Sequence, residues 1–226
     1  MQLTIGNKNY SSWSMRPWVL MKQAGIPFDE VLLRFDGFTP ESKFKKALAH
    51  HTPAGRVPVL EDDGFAVWDT LAIAEYLAEK FPDRALWPAE VRLRARARSV
   101  CAEMHSGFDA LRSHFPMNIE ASLPEVGRRL LAEHTALRGD VARIVTMWTE
   151  LLDAQGGPLL FGGFTIADAY FAPVVMRLAT YAPPLPAHIT AYCERVLALP
   201  GVAAWCKEAR AEREFLDFEE PHRKAR

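Results

Sequence analysis

Two adjacent serines, Ser11 and Ser12, lie in the run Tyr10-Ser11-Ser12-Trp13-Ser14-Met15-Arg16-Pro17-Trp18, just ahead of an apolar segment with helical character. A helix N terminus carries unpaired N–H groups and the positive end of the macrodipole, so it favours anions. A hydroxyl placed there can hold and stabilise a thiolate; the bland alternative is that the serines only cap and turn the chain. Asp69-Thr70 sets a carboxylate beside a hydroxyl at the start of another helix. Between them, Gly55-Arg56-Val57-Pro58-Val59-Leu60 sends a proline into the beginning of a strand. Proline has no N–H for a sheet ladder, and a cis Val57-Pro58 bond would leave the Val57 N–H and C=O free for an extended ligand, although trans is the commoner state. His50 and His51 are adjacent, but no third ligand follows at suitable spacing, so no metal is expected. His105, Phe108, Asp109, Arg112 and Phe115 fall at helical spacing on one broad face. They would either receive a polar or anionic substrate or form an Asp109–Arg112 pair that holds the structure together.

The elements that must position these residues follow from apolar periodicity and turn chemistry. Strands are expected at 2–5, 28–35, 57–60 and 65–68, with Asp63-Gly64 as a hairpin turn between the last two. Helices are expected from a Ser14 cap to Gly25, with Pro17 in the first turn, from the Thr39–Ser42 opening to about residue 49, and over 71–80. That order, β-α-β-α-β-β-α, describes a small α/β unit with one mixed sheet. The turn-rich stretch around Phe81-Pro82 to Trp87-Pro88 reads as a boundary. Beyond it the pattern is helical throughout: one long segment over 89–115, another over 124–154, a helix capped by Thr165 and bent at Pro173, and two more ending near 199 and 212. Asp168, three residues after Thr165, reads as a structural partner of that cap. The chain therefore divides into an α/β unit over 1–82 and an all-α unit over 89–226.

Net charge is −1 over 226 residues, so nothing in the global electrostatics draws the chain to nucleic acid or an anionic membrane. Arg92, Arg94, Arg96 and Arg98 alternate and so spread around a helix rather than forming a patch. The three cysteines, at 101, 193 and 206, are far apart and lack metal spacing, which fits a reducing cytoplasm. No leader-like N-terminal run and no stretch long and apolar enough to span a bilayer is visible.

Taken together, the serine-rich loop, the Val-Pro strand start, the acidic-hydroxyl pair and the Phe164-Thr165-Ile166-Ala167-Asp168 segment resemble the cytosolic glutathione S-transferase family over essentially the whole chain. Ser11-Ser12-Trp13-Ser14-Met15-Arg16 is similar to the Ser-Ser-x-Ser-x-Arg signature of its zeta class. The resemblance implies a thioredoxin-like N-terminal domain, a helical C-terminal domain, a cytoplasmic homodimer and glutathione as co-substrate. It implies that Ser11 or Ser12 stabilises the glutathione thiolate and that Val57, beside Pro58, pairs with its cysteinyl backbone. It also implies that Asp69 and Thr70 bind the γ-glutamyl end, and that Arg56 and His51 meet the glycyl carboxylate. The electrophile would sit near Trp13, His105, Phe108, Asp109 and Arg112. Two departures bear on activity: Trp13 stands where the zeta signature has cysteine, and Asp69-Thr70 replaces the commoner Glu-Ser. Conjugation to a small electrophile is the leading expectation, beside a zeta-like cis–trans isomerase, a dehalogenase, or a non-catalytic binding protein on the same scaffold.

Overall fold

The computed structural model describes residues 1–225. Its first part runs β1 (Gln2–Ile5), α1 (Ser12–Gln23), β2 (Asp29–Leu32), α2 (Lys43–Leu48), β3 (Val59–Asp62), β4 (Phe65–Trp68) and α3 (Thr70–Lys80). The sheet order is β2-β1-β3-β4; β1 pairs parallel with β2 and antiparallel with β3, and β3 pairs antiparallel with β4. Leu3, Thr4 and Ile5 are buried, so β1 is covered on both faces, as a central strand requires. The β3–β4 hairpin turns at Asp63 and Gly64, both with positive φ, where the Asp-Gly pair fits a primed turn.

The remainder is helical: α4 (Val91–Ser106), α5 (Asp109–His114), α6 (Pro124–Glu133), α7 (Thr135–Gln155), α8 (Ile166–Tyr181), α9 (Ala187–Ala198) and α10 (Pro200–Glu212). The fold is thus a small mixed-sheet α/β domain followed by an all-α domain. Helix α1 packs against α3 and the sheet on one side and against α8 and α10 on the other. Met15, Trp18, Val19, Leu20 and Met21 are all buried at that junction.

Several boundaries differ from the sequence expectation. Helix α1 begins at Ser12 rather than after Ser14, which places Pro17 inside it and Ser11 at the N-cap. The segment expected as one helix over 89–115 is two, because Gly107 ends α4 and Phe108 takes a left-handed conformation at φ 59° before α5. The second expected helix, 124–154, is also divided. His134 is extended, and Arg138 bridges the gap, donating to the carbonyls of Leu131 and Ala132 and to Thr135 Oγ1. Strand β2 covers only four of the eight residues expected, and β3 begins two residues later than expected, past Pro58.

Asp168 is fully buried and organises the middle of the helical part. Its Oδ2 accepts from the Thr165 backbone N–H at 3.0 Å and the Thr165 hydroxyl at 3.2 Å, closing the N terminus of α8. Its Oδ1 accepts from Leu160 N–H at 3.1 Å and Tyr192 O–H at 3.2 Å, so one carboxylate joins the 159–163 turn, α8 and α9. Removing it leaves four donors unpaired in the core. Asp168→Ala is therefore expected to lower the unfolding free energy by about 2–4 kcal/mol, more than loss of an exposed cap, as read by urea denaturation.

Candidate functional site

Two adjoining cavities lie between the N terminus of α1 and the loop that carries Val57; the larger extends to α3, α4 and α5, the smaller to α2 and Glu219. The larger, about 760 Å³, is lined by Trp13, Ala54, Arg56, Val57, Pro58, Trp68, Asp69, Thr70, His105 and Arg112. The smaller, about 310 Å³, contains Ser11 and Ser12 with Tyr10, Lys45, Gly55, Glu219 and an aromatic wall of Phe35, Phe38 and Phe44. Trp13, Arg56 and Val57 border both. The Val57-Pro58 peptide is cis. The β1–β3 ladder stops at Val59, so the Val57 backbone is outside it at the border of the two cavities. An extended ligand lying along Val57 reaches the serines on one side and the start of α3 on the other.

Asp69 is the N-cap of α3, with φ 74°, an unusual conformation for a non-glycine residue, and its Oδ1 accepts the Leu71 N–H at 2.8 Å. The other oxygen lies 3.4 Å from His105 Nε2 on α4. Thr70 Oγ1 is 2.9 Å from the Tyr170 hydroxyl, which in turn is 2.8 Å from His105 Nδ1. Thr70, Tyr170, His105 and Asp69 thus form one chain of polar contacts across the junction of α3, α4 and α8. Burial pushes the Tyr170 phenol up to about 12, against the pull of Arg16, so it stays protonated as a member of that chain.

The two serines are held differently. Ser11 Oγ donates to Ser14 Oγ at 2.7 Å, and Ser14 Oγ also accepts the Gly6 N–H at 3.2 Å. Ser12 Oγ instead accepts from Arg177 Nη2 at 3.1 Å, while its carbonyl accepts from Arg16 Nη1 at 3.2 Å. Arg16 also donates to the Tyr170 carbonyl at 3.0 Å, and its guanidinium lies 4.1 Å from the Trp13 ring centroid. Trp13 meets the His105 ring edge-on at 5.3 Å and faces Arg112 at 5.7 Å.

Of the residues singled out in the sequence, Trp13, Arg56, Val57, Pro58, Asp69, Thr70, His105 and Arg112 share the larger cavity, and Ser11 and Ser12 border the smaller. His51 lines neither; it follows α2, with Nδ1 4.0 Å from Glu61. His105, Phe108, Asp109 and Arg112 do not share one helical face, because the break at 107–108 separates them. Phe108 turns into the core, and exposed Asp109 pairs with Arg112 from outside the cavity. Tyr170, Arg177, Lys45 and Glu219 were not anticipated. Arg177 had a readable signal, a cation within the apolar run Phe171 to Leu178; Glu219, in the polar C-terminal tail, had none. Among the described residues no group of three or more His, Cys, Asp or Glu is arranged to hold a metal.

A model of the glutathione S-transferase N-terminal domain matches residues 10–80, and one of its C-terminal domain matches residues 100–208. The chain belongs to the glutathione S-transferase family. Among similar proteins, "Glutathione S-transferase 1" of Dianthus caryophyllus is 28% identical over 183 residues, covering 80% of this chain and 78% of that one. "Probable maleylacetoacetate isomerase" of Caenorhabditis elegans is 34% identical over 100 residues, a match that spans only 44% of either chain. Among solved structures, a glutathione transferase homolog from Burkholderia gl BGR1 with bound glutathione superposes with a TM-score of 0.72 at 26% identity, covering 93% of this chain and 98% of that one. Among the described residues of this transferase-family chain, no helix is long and apolar enough to cross a membrane.

Glu219 brings a titration to the smaller cavity. Burial pushes its carboxyl up to about 7 against the pull of Arg177, with Glu220 adding to the rise. Because the folded-state value is raised, the associated stability is present below the ordinary carboxylate range and is lost as pH rises through about 7. Glu219→Gln is expected to remove this dependence. Between pH about 5 and about 8, wild type should lose about 1–2 kcal/mol more unfolding free energy than the variant. Urea midpoints at the two pH values measure the difference.

Proposed function

We propose that this protein is a glutathione transferase that adds the glutathione thiolate to a small electrophile. The observation that carries the reading is the free Val57 backbone at the border of the two cavities, between the hydroxyl pair and the Asp69-Thr70 helix start. In this reading Val57 pairs with the cysteinyl backbone as an added strand would. The γ-glutamyl ammonium meets Asp69, and its carboxylate meets Thr70 and the N terminus of α3. Arg56 takes the glycyl carboxylate, and Ser11 or Ser12 donates to the sulfur. Catalysis comes from holding the thiolate and placing it against the electrophile in the larger cavity, beside Trp13, His105 and Arg112.

The zeta-like motif, together with similarity to proteins named as maleylacetoacetate isomerases, supports a second reading, glutathione-dependent cis–trans isomerisation. His105 and Arg112 favour an electrophile with anionic character in either case. Trp13, in place of the signature cysteine, favours transfer over isomerisation. We further place the boundary between the two folding units within 82–89, and propose that the protein acts as a cytoplasmic homodimer. Phe65 and Trp68, exposed on β4, and Val91 at the start of α4 offer apolar surface for a second copy.

Calorimetric titration with reduced glutathione tests the first site. Wild type is expected to bind in the micromolar to millimolar range, and Asp69→Ala about tenfold or more weaker, the loss of one charge-assisted contact. Wild-type binding without turnover of an activated aryl halide or a cis-enone would favour the non-catalytic binding protein. Absence of binding would overturn the proposal.

A further inference from the structure

Arg177 and Arg16 are 5% and 2% exposed, and neither forms an ion pair with a carboxylate among the described residues. Taking a guanidinium out of water without a counter-ion is costly, so such a charge points to a missing anion. Both cations converge on one residue: Arg16 Nη1 donates to the Ser12 carbonyl, and Arg177 Nη2 donates to the Ser12 hydroxyl oxygen. Arg177 is otherwise held through Nη1 to the Phe115 carbonyl at 3.1 Å, and its Nε has no partner. Ser12 borders the smaller cavity.

From this geometry we infer that Arg177 is a positioning residue for the thiolate, acting through Ser12. With its oxygen accepting from Arg177, Ser12 has its own proton left to donate into the cavity, and the buried charge behind it strengthens that donation. Ser11 is in a different state, since its proton is directed to Ser14. The inference rests on the proposed function above and extends it by assigning sulfur contact to Ser12 backed by Arg177.

The surrounding charges agree. Burial lowers the Arg177 guanidinium to about 9, with the repulsion of Arg16 next and Arg112 also opposing it, while Tyr181 and Glu219 draw the other way. At neutral pH Arg177 is thus still a cation. The charged groups facing it are Arg16 from α1, Arg112 from α5 and Glu219 from the C-terminal turn. Arg112 is balanced by Asp109, but Arg16 and Arg177 against the single carboxyl of Glu219 still leave an excess of positive charge around Ser12, which a thiolate balances and a neutral thiol does not.

The test is the ultraviolet absorbance of thiolate in the glutathione complex, titrated with pH, for wild type, Arg177→Gln, Arg177→Lys, Ser12→Ala and Ser11→Ala. Wild type frames the result: no binding, or a bound thiol that ionises no more readily than free glutathione, fails the proposed function itself. Given a lowered wild-type thiol pKa, Arg177→Gln is expected to bind glutathione within about threefold of wild type yet hold about tenfold less thiolate at a given pH below that pKa. Arg177→Lys should recover part of the loss. Ser12→Ala should match Arg177→Gln, the double variant should add little, and Ser11→Ala should have the smaller effect. A merely structural Arg177 would weaken binding or folding without moving the ionisation of the thiol that does bind. A wild-type titration curve in Arg177→Gln overturns the inference. Should that variant fail to fold, Ser12→Ala decides alone, because an unchanged curve there removes the contact through which Arg177 is said to act.

Discussion

The burial of helix α1 on every side is the constraint on which the site depends. A helix with one wet face can slide or rotate by small amounts; one held between a sheet and three other helices cannot, because interiors are close-packed and resist partial shifts. Its N terminus carries Ser11, Ser12 and Trp13, and its second turn carries Arg16, so the positions of four site residues are set by the packing of Met15, Trp18, Val19 and Leu20. Arg16 adds a polar tie where the packing is apolar, reaching the α8 backbone at Tyr170. The serine end of the site is therefore shared between both halves of the chain.

The other end is shared as well, by different means. Thr70 and Asp69 belong to α3, but their outward atoms meet Tyr170 on α8 and His105 on α4. The chain of four polar groups fixes hydrogen-bond directions as well as positions, since each oxygen or nitrogen that donates commits its neighbour to accept. Asp69, in a positive-φ conformation, is held there by its cap to Leu71. A glutathione-sized ligand spanning both ends would touch residues whose geometry depends on each half being in place.

Much of this was legible in the sequence, and the reasons are local. The Asp63-Gly64 hairpin and the Thr165/Asp168 cap each follow from what a short stretch of backbone permits, so each is found where residue type requires it, while Val57-Pro58 stands just ahead of β3 rather than within it. Family resemblance then supplied roles that spacing alone does not. What failed was continuity. Two long helical patterns hid breaks at Gly107-Phe108 and at His134, because helical periodicity survives a short interruption while the chain direction does not. The first of these breaks sends Phe108 into the core and Asp109 out to solvent, leaving only His105 and Arg112 of that group at the cavity. Arg177 and Glu219 escaped notice for a related reason: each reaches the site from more than 160 positions away, Arg177 bonding Ser12 directly.

The loop from Asn7 to Tyr10 is pinned by residues 212–220. Asn7 Nδ2 donates to Glu214, the Lys8 N–H to Glu212 and the Tyr10 hydroxyl to Glu220. During synthesis this loop leaves the ribosome more than 200 residues ahead of its partners. The small sheet can collapse early around β1, but the serine loop has no final shape until the tail arrives. A nascent chain stalled before residue 212 would thus carry a folded body with an unfinished site, and the order of translation itself keeps the chemistry silent until those partners have been made.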